Sequence, residues 1–250
     1  MYFNSPTVYG MLIGGAAAIV VSIVILLKDI RAPLNILFSS SLFFWGISLL
    51  FNALTFLYTS TEQFGVQFVR DVSTSSGCFG AFLVFITAYT MYKGLHYLKK
   101  WYFIVPLAVL CIVDIVITSL FDHVVTDTDF GGIKTTQEPW VMIFLYGIPA
   151  ILIVLADIYF YLTQRQIEEP KIKTRILLFI LGFILIILGV LIYAIFGILE
   201  QLIGFSTNTI EYLAWIFATL FWAAGPILQL FGFFIGKKIG KESKESDLPN

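Results

Sequence analysis

Charge is scarce in this chain. Asp, Glu, Lys and Arg make up 12% of its 250 residues, against about a quarter in ordinary soluble domains. Histidine occurs only at His96 and His123, and cysteine only at Cys78 and Cys111. The two histidines fall near opposite ends of the apolar segments, so they cannot share one ion, and a membrane zinc hydrolase, which usually needs more histidine, is not expected. Both cysteines sit inside apolar runs, which excludes an extracellular disulfide framework. No Gly-x-Ser-x-Gly elbow occurs, and no histidine lies at membrane depth to activate a serine. A phosphate loop is also missing. The N-terminus has no basic region and no cleavage-site pattern, so the first apolar segment is expected to remain. An enzyme is therefore not expected, and neither is a metal or other cofactor. The net charge of −1 comes with basic residues split among short loops, a pattern that gives nucleic acid no patch to bind.

What the chain does have is apolar length. Hydrophobic residues make up 59% of it, in runs of roughly 20 residues or more, enough to cross a bilayer core as helix. The spacing predicts spans at about 9–27, 35–58, 66–95, 102–121, 140–163, 176–199 and 209–236. Pro106, Pro149 and Pro226 fall in or near these spans, where proline kinks a helix. The fold class is an all-α membrane protein, a seven-transmembrane helix bundle forming one domain over 1–236. A short charged tail, 237–250, is expected to be disordered. The outer connection over about 122–139 reads as mildly acidic and turn-rich.

Orientation follows from Lys and Arg. Every one of them except Arg70 and Lys134 falls in the first, third or fifth connection or in the tail. Basic loops stay in the cytoplasm, so the N-terminus is expected outside and the C-terminus inside. The expected location is the cell membrane, as a multi-pass protein with the lipid bilayer as its first partner. The last span, 209–236, contains no lysine, which excludes a retinal Schiff base there.

Ionisable residues inside spans are expensive and mark functional hypotheses. Asp114, in "VLCIVDIVITSL", lies about 10 Å below the outer end of span four at 1.5 Å per residue. Its structural reading is a pair with Arg70 or hydrogen bonds to neighbouring hydroxyls. Asp157, nearer the cytoplasmic end of span five, is expected to meet water or a basic loop residue. Asn52, Thr55 and Gln229 are expected to hydrogen-bond between helices. Arg70, Asp71, Asp114, Glu138 and Glu211 all lie in the outer half. They are the candidate ligand-binding residues, for a small ligand of unknown identity in an outward pocket between spans three, four, five and seven. Trp45, Trp215 and Trp222 could line it.

The third span, "FVRDVSTSSGCFGAFLVFITAYTMY", begins with unusual polarity. Arg70, Ser73, Thr74, Gly77, Gly80, Ala81, Val84, Thr87 and Ala88 share one face at three- and four-residue steps. Small residues let neighbouring backbones approach closely. This span is expected to be a central helix, with Arg70 at its outer mouth facing Asp114, Asp71 or an external group.

With its arginine at the head of that small-residue helix, and with "RQIEEPKIKTRILLFILGFILIILG" as a basic loop feeding a glycine-spaced sixth span, the chain resembles the seven-helix sensor region at the N-terminus of some histidine kinases. It departs from that family in lacking a proline in span three and an output domain after Lys237. The resemblance implies a stand-alone sensor that signals to a separate cytoplasmic or membrane partner. A small-solute transporter with a three-one-three arrangement and a structural subunit without a pocket are the alternatives.

Overall fold

Proline marks where several helices begin. In the computed structural model α1 is Pro6–Lys28 and α2 is Pro33–Thr55. Helix α3 is Val66–Lys93, α4 is Trp101–Phe121, α5 is Ile148–Gln166, α6 is Pro170–Ile203 and α7 is Asn208–Ile235. Proline suits a first turn because its missing N–H would have had no partner there. The structure describes residues 6–58, 65–127, 132–137, 140–141, 143–203 and 208–235.

Helices α1 to α6 are each long and apolar enough to cross a membrane, and the described part of α7 adds the apolar stretch Leu220–Gly232. The chain is a multi-pass integral membrane protein. Its helices follow the expected spans to within a few residues, apart from α6, which begins six residues earlier at Pro170, and three further differences. The fifth begins late: a wide π-turn, Ile143–Gly147, precedes α5. Pro149, in the first turn of α5, offers no N–H and crowds the carbonyl four residues back, and the wider turn relieves both. Helix α3 stops at Gly94, whose φ of 103° takes the chain out of the helix while its N–H donates to Thr90 O at 2.8 Å. The chain then makes a short 3-10 turn, Leu95–Lys99, before α4.

The third difference is a hairpin. The connection expected to be turn-rich pairs β1, Asp122–Asp127, with β2, Gly132–Gln137, antiparallel from Asp122 opposite Gln137 to Asp127 opposite Gly132. "HVVT" and "IKTT" are β-branched runs that favour a pleated strand. This end of the bundle is called the hairpin end below. The other carries Lys28, Lys93 and Arg165 in the last turns of α1, α3 and α5 and is called the basic end.

Six helices close a ring. Helix α1 packs on α2, α2 on α3, α3 on α5, α5 on α6, α6 on α7 and α7 back on α1. Helix α4 stands outside, against α3. Burial separates the two roles: 61% of the apolar window of α3 is buried but only 17% of that of α4. The small face expected on α3 is buried, apart from half-buried Gly77. Phe82 and Phe85 are buried as well, so α3 is enclosed on more than one side.

Backbones touch at two crossings. A Cβ on Gly46 of α2 would lie 2.8 Å from Gly15 O of α1, and a Cβ on Gly225 of α7 would lie 2.7 Å from Gly182 O of α6. Toward the basic end the ring is plugged by phenylalanine. Phe38 meets Phe179 at 4.9 Å between ring centroids, and Phe160 stacks on Phe183 at 5.8 Å.

Candidate functional site: a cavity beneath a buried ion pair

Among the described residues, the hairpin half of the ring has no such plug. One turn into α3, Arg70 donates from Nε to Asp122 Oδ2 at 2.7 Å and from Nη1 to Asn52 Oδ1 at 3.0 Å. The Arg70 side chain is 7% exposed and that of Asp122 is fully buried. Helices α2 and α3 and strand β1 thus meet at one guanidinium. Gln67, almost a full turn before Arg70, ties down the hairpin. Its Nε2 donates to Asp71 Oδ1 and to Asp122 O, both at 2.8 Å, and its Oε1 accepts from Val124 N at 3.1 Å.

Both sequence candidates for the partner of Arg70 are corrected by this arrangement. Asp71 is its chain neighbour, about 100° around the helix, and is held by Gln67 instead. Asp114 is fully buried, but neither carboxylate oxygen has a well-formed hydrogen bond among the described residues. The Cys78 thiol stands within electrostatic reach of it without meeting hydrogen-bond geometry. Asp122 is inconspicuous in the sequence because it follows α4 directly and reads as a solvated loop residue. The turn into extended backbone there, at φ −95° and ψ 103°, lets its side chain lie under the head of α3.

Below this pair lies a cavity of about 100 Å³. Its walls come from α2, α3, α5, the π-turn, α6 and α7, and α4 supplies no residue to it. The expected pocket among spans three, four, five and seven therefore moves inside the ring. Helix α4 is excluded because α3 stands between it and the ring's interior. Cys78 lines the cavity from α3, while Asp114 lies behind that thiol. Trp45 and Trp222 both line the cavity, with centroids 6.4 Å apart and planes near perpendicular. The side chains of Trp215 and Glu211, and all of Glu138, lie outside the described residues.

The two α3 hydroxyls on the cavity wall already donate to backbone carbonyls. Ser73 Oγ donates to Ser48 O at 2.8 Å, and Thr74 Oγ1 lies 3.3 and 3.2 Å from the carbonyls of Arg70 and Asp71 in its own helix. Two other donors have a different status. Arg70 fixes Asn52 Oδ1 as acceptor, which turns the amide NH2 away from the guanidinium. The Trp45 indole N–H is buried and has no acceptor among the described residues.

The remaining polar expectations divide. Asn52 bonds between helices as expected. Thr55 instead donates to Phe51 O of its own helix at 3.0 Å. Gln229 is buried against Gly182, and neither amide atom has a partner among the described residues. Asp157 makes no ion pair among the described residues, and its Oδ1 is buried without a hydrogen bond. Among the described residues no group of three or more His, Cys, Asp or Glu could hold a metal ion. No protein-family model matches the chain, and no curated protein sequence is significantly similar to it.

Proposed function

We propose that this protein is a membrane sensor that binds a small ligand inside its helix ring and passes the event to a separate partner at the basic end. The observation that carries the reading is the cavity's position. It lies in the hairpin half, under Arg70 and Asn52, while the other half is filled by Phe38, Phe160, Phe179 and Phe183. A closed ring with one hollow end can change the spacing of its filled end when the hollow end is occupied. The ligand must bind the two arrangements unequally for that to happen. The basic loops, 93–100 and 165–175, face the cytoplasm on the charge rule and are the surface a partner would read. The likeness to histidine-kinase sensor regions supports the same division of labour. In this reading the chain makes seven spans with its N-terminus outside, in the cell membrane. Arg70 and Asp122 hold the mouth of the site, and Asn52 and Trp45 face the ligand.

Purified protein in nanodiscs, melted against a panel of small charged and uncharged molecules, tests the reading. At least one compound should stabilise the wild type and fail to stabilise Ala150→Leu, which puts a larger side chain on the cavity wall. A panel that stabilises neither protein contradicts it.

Transport is a second reading with one observation in its favour. Helices α1–α3 and α5–α7 run in corresponding order around the ring, with α4 between them in sequence and outside in space. Parallel three-helix repeats have that form. Counterflow of a bound compound in sealed liposomes, abolished in Ala150→Leu, would favour it over sensing.

A further inference from the structure

We infer that the cavity selects a small, uncharged molecule carrying one carbonyl-type hydrogen-bond acceptor, with an apolar body of a few carbon atoms. This inference rests on the small-ligand reading above and specifies its chemistry.

Size sets the first limit. An apolar cavity of about 150 Å³ holds a benzene ring, so a cavity of about 100 Å³ holds a body somewhat smaller than that.

Polarity sets the second. The hydroxyl hydrogens of Ser73 and Thr74 are spent on backbone carbonyls. The wall also carries the hydroxyls of Ser48 and Tyr146, which can donate as well as accept, and it adds two further donors. Asn52 must present its NH2, because Arg70 occupies its Oδ1. Trp45 carries a buried N–H with no acceptor among the described residues. An indole nitrogen can only donate. A buried donor without an acceptor is costly, and a ligand that supplies the acceptor recovers that cost. Leu49, Ala81, Ile153 and Ile187 give the rest of the wall its apolar character.

Charge sets the third. Among the described residues Arg70 is the cationic group of the cavity wall, and Asp122 already answers it at 2.7 Å. An anionic ligand would bring a second negative charge into a buried site whose positive charge is engaged, and buried charge is stable only when paired. A neutral acceptor carries no such penalty.

The test compares 2-butanone with 2-methylbut-1-ene, which replaces the ketone oxygen by a CH2 group, and with butyrate, which adds the charge. Apparent affinities come from the concentration dependence of the melting temperature of the full chain in nanodiscs. Ala150→Leu serves to subtract effects on the lipid. In the wild type, 2-butanone should bind about tenfold more tightly than the alkene, the worth of one recovered hydrogen bond, and more tightly than butyrate. Trp45→Phe keeps the ring and deletes the N–H, and should cut the ketone's advantage to about threefold or less. Asn52→Leu should do the same, and Trp45→Phe carries the test if Asn52→Leu does not fold. Equal binding of ketone and alkene, or a preference for butyrate, overturns the inference while leaving a small-ligand site standing. The inference also falls if these three compounds fail while others in the panel bind. If no compound stabilises the wild type, the inference fails together with the sensor reading beneath it.

Discussion

Arg70 of α3 and Asp122 of β1, 52 residues apart in sequence, meet at 2.7 Å with both side chains withdrawn from water. This contact links the head of the most enclosed helix to the hairpin, and through Asn52 it reaches α2 as well. Breaking one member of a buried pair leaves an uncompensated charge, which costs about 3–5 kcal/mol, whereas replacing both by apolar residues is often close to neutral. Arg70→Leu and Asp122→Leu should each lower the melting temperature of the protein in nanodiscs. The double variant should recover most of that loss. Additive losses in the double-mutant cycle would show that the pair does not operate as a unit.

Asp114 should behave independently of Arg70. Its carboxylate lies behind α3 and has no well-formed hydrogen bond among the described residues. Residues without shared partners combine additively to within about 0.5 kcal/mol. Asp114→Leu should therefore leave stability unchanged or raise it, because an unsatisfied polar group is exchanged for an apolar one. Its effect should also be the same with or without Arg70→Leu. A large loss of stability in Asp114→Leu alone, read from the melting curve, would reveal a partner for this carboxylate.

The crossing of α6 and α7 tolerates no side chain at its centre. A Cβ at Gly225 would stand 2.7 Å from Gly182 O and 2.8 Å from Ile186 Cγ1. Overpacking of this kind costs about 1–3 kcal/mol. Gly225→Ala should melt several degrees below the wild type. Gly147→Ala, whose new Cβ would find its nearest neighbour at 3.7 Å, should melt with it. Equal melting of the two variants would place the close approach elsewhere.

Much of this fold is legible in the sequence because lipid imposes simple rules. A bilayer demands apolar length, and helices α1 to α7 end close to where the apolar runs end. The small face of α3 is equally legible, since helical spacing alone places Ser73, Gly80 and Ala88 together. What sequence spacing does not carry is which helices are neighbours. Nothing local says that α7 returns to α1, or that α4 stands outside, so the sequence points to spans three, five and seven but includes span four and misses spans two and six. The partner of Arg70 was hidden for the same reason. Asp122 looks like a loop residue until β1 folds its side chain under α3. The hairpin itself was visible in "HVVT" and "IKTT", but acidic and turn-forming residues around these runs masked them.

The central claim is that occupancy of the hairpin half changes the spacing of the basic end. It is tested most directly by the distance between spin labels at Lys99→Cys and Arg165→Cys. Both positions are exposed, while the native Cys78 and Cys111 are buried and should escape labelling. Pulsed electron resonance in nanodiscs, with and without saturating 2-butanone or another compound that stabilises the wild type and not Ala150→Leu, gives the distance distributions. The account predicts a shift of roughly 1–2 Å or more, the scale of helix movements in switching proteins, which disappears in Ala150→Leu. Superimposable distributions at saturating ligand would contradict it.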